Sequence, residues 1–536
     1  MITITTSLFS DTISFFEGDD DFIGYKIKPL GYEKRNELID RYHRVNYQFN
    51  YTIEEQVILD RVKFSFDQIQ TVLGNKLLPS YPIFILSILQ NLEETKPINT
   101  NQTSYGFCYQ SLITYALLKK VSINKDDLDT YVNFLTEFAF NLYETKCDSF
   151  SENEFIQFYN NYSKCYIVPS FDEIINKLLL SGLVVNSSDG YYQFCYEYIN
   201  YYLAARKISQ VLHLNRGKDI IKNLCSSLHR QKEANILIFV THHSKADFLI
   251  DEATMTAMLP FEEYLPITLD KEDPYFNLIQ NIINQFSLNI IDETRKPIDE
   301  RRKKLKKRDE AERKIENDKP SRFEDENEDI FQDREIISFQ QSLKALEIVG
   351  QIIKNGKGSI EKTKLLTMVE ELFKTGFRLV SYFGALTNNV KDNWESILIK
   401  DVKESDSQAD IKNKVNIFFQ TKALEFCLVV FSKMIYSLGS KDLRPIYDEA
   451  ARNLNSPAAK LVSFGIKLYY SKLATDELKK LAEEFSNNKV AFEILKSNVA
   501  NYVYNNNIEY KQKQVIEDKL KIRFLPTVYN RKNDLK

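Results

Sequence analysis

Glycine and proline are scarce in this 536-residue chain, at 15 and 13 residues, and tryptophan occurs once. Few such residues mean few enforced turns and hence long elements. With abundant Leu, Ile, Lys and Glu, those elements are helices. None of the six cysteines (108, 147, 165, 195, 225 and 427) forms a C-x-x-C pair, which excludes zinc-knuckle and dithiol motifs. Scattered cysteines in a chain this long read as reduced core residues of a cytoplasmic protein. The opening MITITTSLFSD lacks the basic and apolar regions of a signal peptide. The apolar stretches near Tyr81–Leu92 and Ile236–Val240 fall short of the roughly 18 residues that span a bilayer, so no membrane association is expected. Charge of one sign is missing too. Lys plus Arg is 71, Asp plus Glu is 75 and the net charge is -4, which confines any nucleic-acid role to a local patch.

What is present is an apolar share of 43% with 31 Tyr and 36 Phe, enough for large aromatic cores. At about 100–200 residues per domain, the length suggests roughly three to five domains. Residues 1–30 differ from the rest: Met1–Thr6 and Tyr25–Leu30 alternate as strands around the acidic loop Glu17–Asp21. From Gly31 the pattern is helical, with Leu38, Ile39, Tyr42 and Val45 on one face. A second helix covers Thr52–Leu73, a break bracketed by Pro79 and Pro82 follows, and two more helices fall within 104–145.

Segment 149–206 carries the sharpest signals. Ser151-Glu-Asn-Glu has the form of a capping box opening helix 152–163. FDEIINKLLLS then closes on Gly182, and GLVVNSSDGYYQFCY reads as a hairpin turning at Ser188-Asp-Gly. Helix, helix, hairpin is the outline of a winged helix. A helix resumes at EYINYYLAARKISQVL. Residues 207–292 form a helical connector broken by Pro260, Pro266 and Pro274. Residues 293–335 are nearly all charged and read as a linker, either a solvated helix or disordered. Residues 336–536 form a C-terminal α-helical array. The fold class expected is therefore mainly α: a helical lid over 31–148, the winged helix with its β-hairpin wing, the connector, the linker and the array.

The strand YKIKPL followed by GYEKRNELIDRY resembles the end of the nucleotide-binding domain of STAND-class, NACHT-like P-loop NTPases. LLPSYPIFILSIL resembles their lid-helix motif, and GLVVNSSDGYYQFCYEYINYYLAARKI the close of their winged helix. The form F-x-Y-x-Y-I-x-Y-Y-x-A-A is similar to anti-phage STAND proteins of AVAST-like systems. The resemblance covers about residues 1–210. It implies that Pro79 contacts the nucleotide base and that Tyr196 stands where relatives carry a histidine reaching a phosphate. It also implies ATP or ADP and Mg²⁺ in a complete family member, an upstream NTPase/effector module, homo-oligomerisation on activation, and recognition of a foreign (phage) protein.

The sequence departs from that family in one respect: it contains no G-x-x-x-x-G-K-[ST] and no apolar strand ending in paired acids. Nothing then cradles phosphates or Mg²⁺, so neither a cofactor nor NTPase activity is expected of this chain alone. It reads as the C-terminal part of such a protein, whether truncated gene, split subunit or fragment.

Other motifs read as ordinary structure. Thr241-His-His cannot chelate well, because adjacent side chains diverge by about 100° on a helix. The run Arg301–Arg308 is flanked by the acids Asp299, Glu300, Asp309, Glu310 and Glu312 and has no aromatics for base stacking. A DNA-binding regulator would use Phe171–Ser181 as its recognition helix, which offers only Lys177 as a cation. Partner contacts are expected in the C-terminal array, with Tyr436, Tyr469, Tyr470, Tyr502 and Tyr504 the first candidates.

Overall fold

The computed structural model describes residues 29–47, 55–73, 80–82, 85–86, 88–89, 105–187, 190–286, 290–292, 297–318, 334–401, 408–506 and 508–525. The strand Met1–Thr6, the loop Glu17–Asp21, most of Tyr25–Leu30, the turn residues Ser188 and Asp189, and Pro79 lie outside them. The described chain is mainly α-helical. It divides into two compact units, Met1–Ser227 with Gln231–Leu249, and Leu228–Arg230 with Ile250–Lys536.

The first unit opens with α1 (Tyr32–Tyr47) against α2 (Glu55–Leu73). The buried face of α1 is Tyr32, Arg35, Ile39 and His43, while Val45 is exposed, so the apolar stripe expected through Val45 is displaced. The Arg35 guanidinium lies 4.1 Å from the Tyr32 ring centroid, and His43 Nε2 is 2.8 Å from Ser65 Oγ on α2. Polar side chains thus occupy positions where hydropathy alone looks for leucine.

Next come α3 (Tyr105–Tyr115), a π-helical turn Ala116–Lys120 and α4 (Leu128–Thr145). Strand β1 (Ser149–Ser151) leads into α5 (Glu152–Ser163). Ser151 Oγ accepts from the Glu154 amide and the Glu154 carboxylate accepts from the Ser151 amide, the reciprocal box written in the sequence. Helix α6 (Phe171–Ser181) ends on Gly182 in the left-handed conformation, φ 72°, where glycine carries no Cβ penalty. Strands β2 (Val184–Asn186) and β3 (Tyr191–Phe194) pair antiparallel, and β1 pairs antiparallel with the other edge of β3, giving the order β1-β3-β2.

Rings tie this small sheet to its helices. Phe138 of α4 lies 5.0 Å from Phe155 of α5 and 5.2 Å from Phe194 of β3, and Phe155 stacks on Tyr192 at 5.0 Å. Helix α7 (Glu197–Gln210) follows, packed between α4 and α9 (Gln231–His243). Its Ala204 and Ala205 are fully buried, and their small size lets the flanking helices approach. Between α7 and α9 lies α8 (Asn215–Ser226), and α10 (Asp247–Met258) follows α9.

In the second unit the prolines act as the sequence suggests. Pro274 opens α11 (Pro274–Ile279), and Asp273 caps it, accepting from the Tyr275 amide at 2.8 Å and from the Thr268 and Leu269 amides. Strand β4 (Ile290–Asp292) pairs in parallel with β5 (Arg523–Leu525). Helix α12 (Pro297–Asp318) occupies the first half of the segment read as a linker. It packs along α19 (Lys489–Asn505): Lys304 Nζ donates to Asn501 Oδ1 at 2.7 Å, and Asp309 is buried.

The centre of this unit is a bundle of α13 (Arg334–Gly356), α14 (Lys362–Asp401) and α15 (Gln408–Leu438). Glycines set their spacing. A Cβ on Gly350 of α13 would stand 2.4 Å from the Ser437 carbonyl oxygen, and one on Gly376 of α14 2.4 Å from Met434 Sδ. Shorter helices α16 (Arg444–Leu454), α17 (Pro457–Tyr470), α18 (Thr475–Glu484), α19 and α20 (Tyr510–Leu520) complete the unit. Helix α15 is long and apolar enough to cross a membrane by length and composition, with mean hydropathy 1.4 over its best window and 33% of that window buried. The stretches singled out in the sequence, Tyr81–Leu92 and Ile236–Val240, are not the longest apolar run.

Candidate functional site

Tyr196 stands at the junction of β3 and α7, in extended backbone, as the N-cap residue of α7. Its side chain is half-buried and makes no cap bond. Burial pushes its phenol above the usual value, and the neighbouring Cys195 and Tyr81 push it the same way. At neutral pH the group is therefore an uncharged donor and acceptor. Tyr81 lies two residues beyond Pro79, so the segment carrying one sequence-selected residue reaches the other, although Pro79 itself lies outside the described residues.

The charge near Cys195, the residue before Tyr196, comes from a residue the sequence reading passed over. Lys120 closes the π-helical turn, donates to the Ser181 carbonyl at 3.0 Å and acts on the Cys195 thiol. Burial raises that thiol, and the Lys120 ammonium opposes the rise. A π-turn ending in an exposed lysine is a local irregularity of the kind that accumulates at functional positions. No hydropathy or motif signal marks it, because a π-turn is set by packing around it. Lys120, Cys195, Tyr196 and Tyr81 thus form one polar neighbourhood beside the hairpin.

A separate cleft of about 420 Å³ opens between α4, α5 and the chain after α7. Glu137 pairs with Lys207, and Glu144 with Arg216. Tyr162 and Tyr166 stack at 4.7 Å on one wall, and Tyr166 donates to Glu137 at 3.4 Å. Both cations are neutralised by carboxylates of α4, so this cleft is not built for phosphate.

The remaining sequence-selected residues fall as follows. His242 and His243 end α9, and burial pushes them down to about 4 and about 3. His243 Nε2 donates to the Tyr202 carbonyl at 3.3 Å, which is a structural role. Among the described residues no group of His, Cys, Asp and Glu is placed to hold a metal ion. Lys177 is held by Glu173 at 2.7 Å and lies over the Tyr131 ring. Cys225 and Cys427 are core residues as expected, but Cys165 is exposed and Cys147 and Cys195 are half-buried.

Of the five tyrosines selected in the array, only Tyr436 is exposed. Tyr469 and Tyr470 are half-buried, and the rings of 436, 469 and 470 form a chain with 4.7 Å steps. Tyr502 is buried and its hydroxyl accepts from the Leu473 amide at 3.1 Å, so it belongs to the core; Tyr504 is half-buried.

No curated protein and no solved structure matches the chain. A family model described as Novel STAND NTPase 4 matches residues 148–204, which run from the start of β1 through the sheet into α7. Over that segment, which contains Tyr196, the chain is similar to the STAND-class NTPases.

Proposed function

We propose that this chain is the regulatory and sensor portion of a STAND NTPase in anti-phage defence. It recognises a foreign protein and controls an NTPase/effector module. The observation that carries the reading is the family match over 148–204, which falls on the helix–helix–hairpin order of a winged helix. In this reading β2 and β3 are the wing, and β1 adds a third strand.

The residues near Tyr196 fit one end of a nucleotide and no more. A neutral phenol and the Lys120 ammonium supply a donor and a positive charge, which together suit a phosphate oxygen. The phosphate loop, with its amides, lysine and hydroxyl, is absent from the sequence. A nucleotide would therefore have to be held by the partner module and only read by this chain. In this reading the helical lid and the winged helix clamp that module in a closed state, and a foreign protein that binds the unclamped, open state better shifts the equilibrium. The commitment of Lys177 to Glu173 leaves the alternative of a winged-helix DNA-binding regulator without its one recognition-helix cation.

The test is purification of the tagged full chain from phage-infected cells, with and without the reading frame directly upstream of its gene. Recovery of a phage protein together with a Walker-A-bearing product is expected. Recovery of duplex DNA, or of neither protein, overturns the reading.

A further inference from the structure

The end of α10 and the loop that follows it are laid along one stripe of α14. Lys364 pairs with Asp251 at 2.7 Å, and Thr375 Oγ1 donates to the Ala257 carbonyl at 2.8 Å. Arg378 Nη2 donates to the Met258 carbonyl at 2.8 Å, and the Tyr382 ring stacks on Phe261 at 4.0 Å. Phe261 has φ 55°, a left-handed conformation that a bulky residue holds only where its surroundings dictate it. Those surroundings are Tyr382 and Tyr264, whose ring meets Tyr382 edge-on and whose amide donates to the Phe261 carbonyl at 3.0 Å. Pro260 and Phe261 are thereby buried, and the rest of the segment faces outward. Met255, Leu259 and Leu265 are 61%, 62% and 85% exposed, and Met258 is 38% exposed. Glu262 and Glu263 are exposed among them. Burial holds the Arg378 guanidinium below its usual value, and Glu371, Glu262 and Glu263 oppose the fall. The two exposed carboxylates therefore stand at the same end of α10 as the apolar side chains.

We propose that this surface docks a basic amphipathic helix of another protein. The helix would lay its apolar stripe on Met255, Met258, Leu259 and Leu265 and set lysines or arginines against Glu262 and Glu263. Charge selects that occupant. From Ile250 to Asp273 the chain carries seven acids and one base. Nucleic acid or an anionic bilayer would bring its own negative charge against these carboxylates. A second copy docked face to face would set Glu262 and Glu263 against themselves. Shape agrees with charge. Met255, Met258 and Leu259 are spaced i, i+3 and i+4, which builds a ridge that seats in the groove of a partner helix. Methionine, unbranched and polarisable, adapts to the side chains it meets there. The turn at Phe261 fixes the loop before docking, so little conformational entropy is lost on binding.

The experiment is calorimetric titration of the full chain with three probes. These are a short Leu/Lys peptide patterned as an amphipathic helix, a peptide of the same composition with the pattern scrambled, and phosphatidylserine vesicles. The patterned peptide is expected to bind at micromolar concentrations in low salt, and the scrambled one about tenfold more weakly. Two double variants, Met255→Ser with Leu265→Ser and Glu262→Gln with Glu263→Gln, should each weaken the patterned peptide about tenfold. The loss from the glutamine pair should shrink in high salt, whereas the loss from the serine pair should persist. All four positions are exposed, and circular dichroism confirms that the variants remain helical. No binding of the patterned peptide, equal binding of the scrambled one, variants that bind as the wild type does, or binding of the vesicles in place of the peptide would each overturn the proposal.

Discussion

The hydroxyl of Tyr275 donates a 2.6 Å hydrogen bond to the backbone carbonyl of Ala423, joining the short helix α11 to the middle of α15. Tyr275 is buried, and its ring is the nearest neighbour that a Cβ on Gly384 would meet. Phenylalanine keeps the ring and removes the bond. The Ala423 carbonyl has a second lone pair for its own helix, so Tyr275→Phe should cost about 1 kcal/mol. The check is the urea midpoint of the second unit, read by a probe within it; an unchanged midpoint would show that the bond contributes nothing net.

Two glycines of the bundle should respond differently to alanine. At Gly350 the obstacle is the Ser437 carbonyl, a backbone atom that cannot swing aside, whereas at Gly376 it is the flexible Met434 side chain. Alanine recovers up to about 1 kcal/mol of helix propensity at either site. Overpacking costs roughly 1–3 kcal/mol where the neighbour cannot yield. Gly350→Ala is therefore expected to lower the melting temperature clearly and Gly376→Ala only slightly. Equal effects would mean that α13 and α15 can separate as easily as a methionine can turn.

Acid should destabilise the first unit early. The folded values of His242 and His243, about 4 and about 3, lie below the ordinary value of 6.5 that the unfolded chain retains. Between these limits the unfolded state binds more protons, so stability is complete above about pH 6.5 and falls as the pH drops toward 4 and then 3. Each histidine contributes at most about 1.4 kcal/mol per pH unit in that window. His243→Phe should flatten the fall when denaturant midpoints are compared between pH 4 and 7. An unaltered slope would assign the acid sensitivity to other groups.

The isolated chain is expected to show no micromolar affinity for Mg-ATP and no hydrolysis. The argument rests on the missing loop, whose amides and lysine dominate phosphate binding in P-loop proteins. Isothermal calorimetry decides it. Micromolar binding would require a phosphate cradle of another kind, and loss of that binding in Lys120→Ala would locate it beside Tyr196.

Where one residue type decides a local conformation, the sequence was readable. Ser151 and Glu154 form the box their spacing predicts, Gly182 takes the left-handed cap, and the strands around Asp189-Gly190 pair. Strand β1 was not legible, because three residues show no alternation and Ser151 serves both as its last residue and as a helix cap. Docking of α12 was obscured by composition: a face held by polar contacts, such as Lys304 with Asn501, leaves no apolar stripe. Around the candidate site, Tyr196 was singled out by resemblance alone. Lys120 was passed over because no motif or hydropathy signal marks the end of the π-turn.

The parallel pairing of β4 with β5 also bears on synthesis. Ile290 meets Arg523, about 230 positions later, which at 5–20 residues per second emerges from the ribosome roughly 10–50 s afterwards. The strand edge of Ile290–Asp292 therefore waits, unsatisfied, while the intervening helices assemble. During that interval the edge lacks its partner, and an unpaired edge can template pairing with another extended segment.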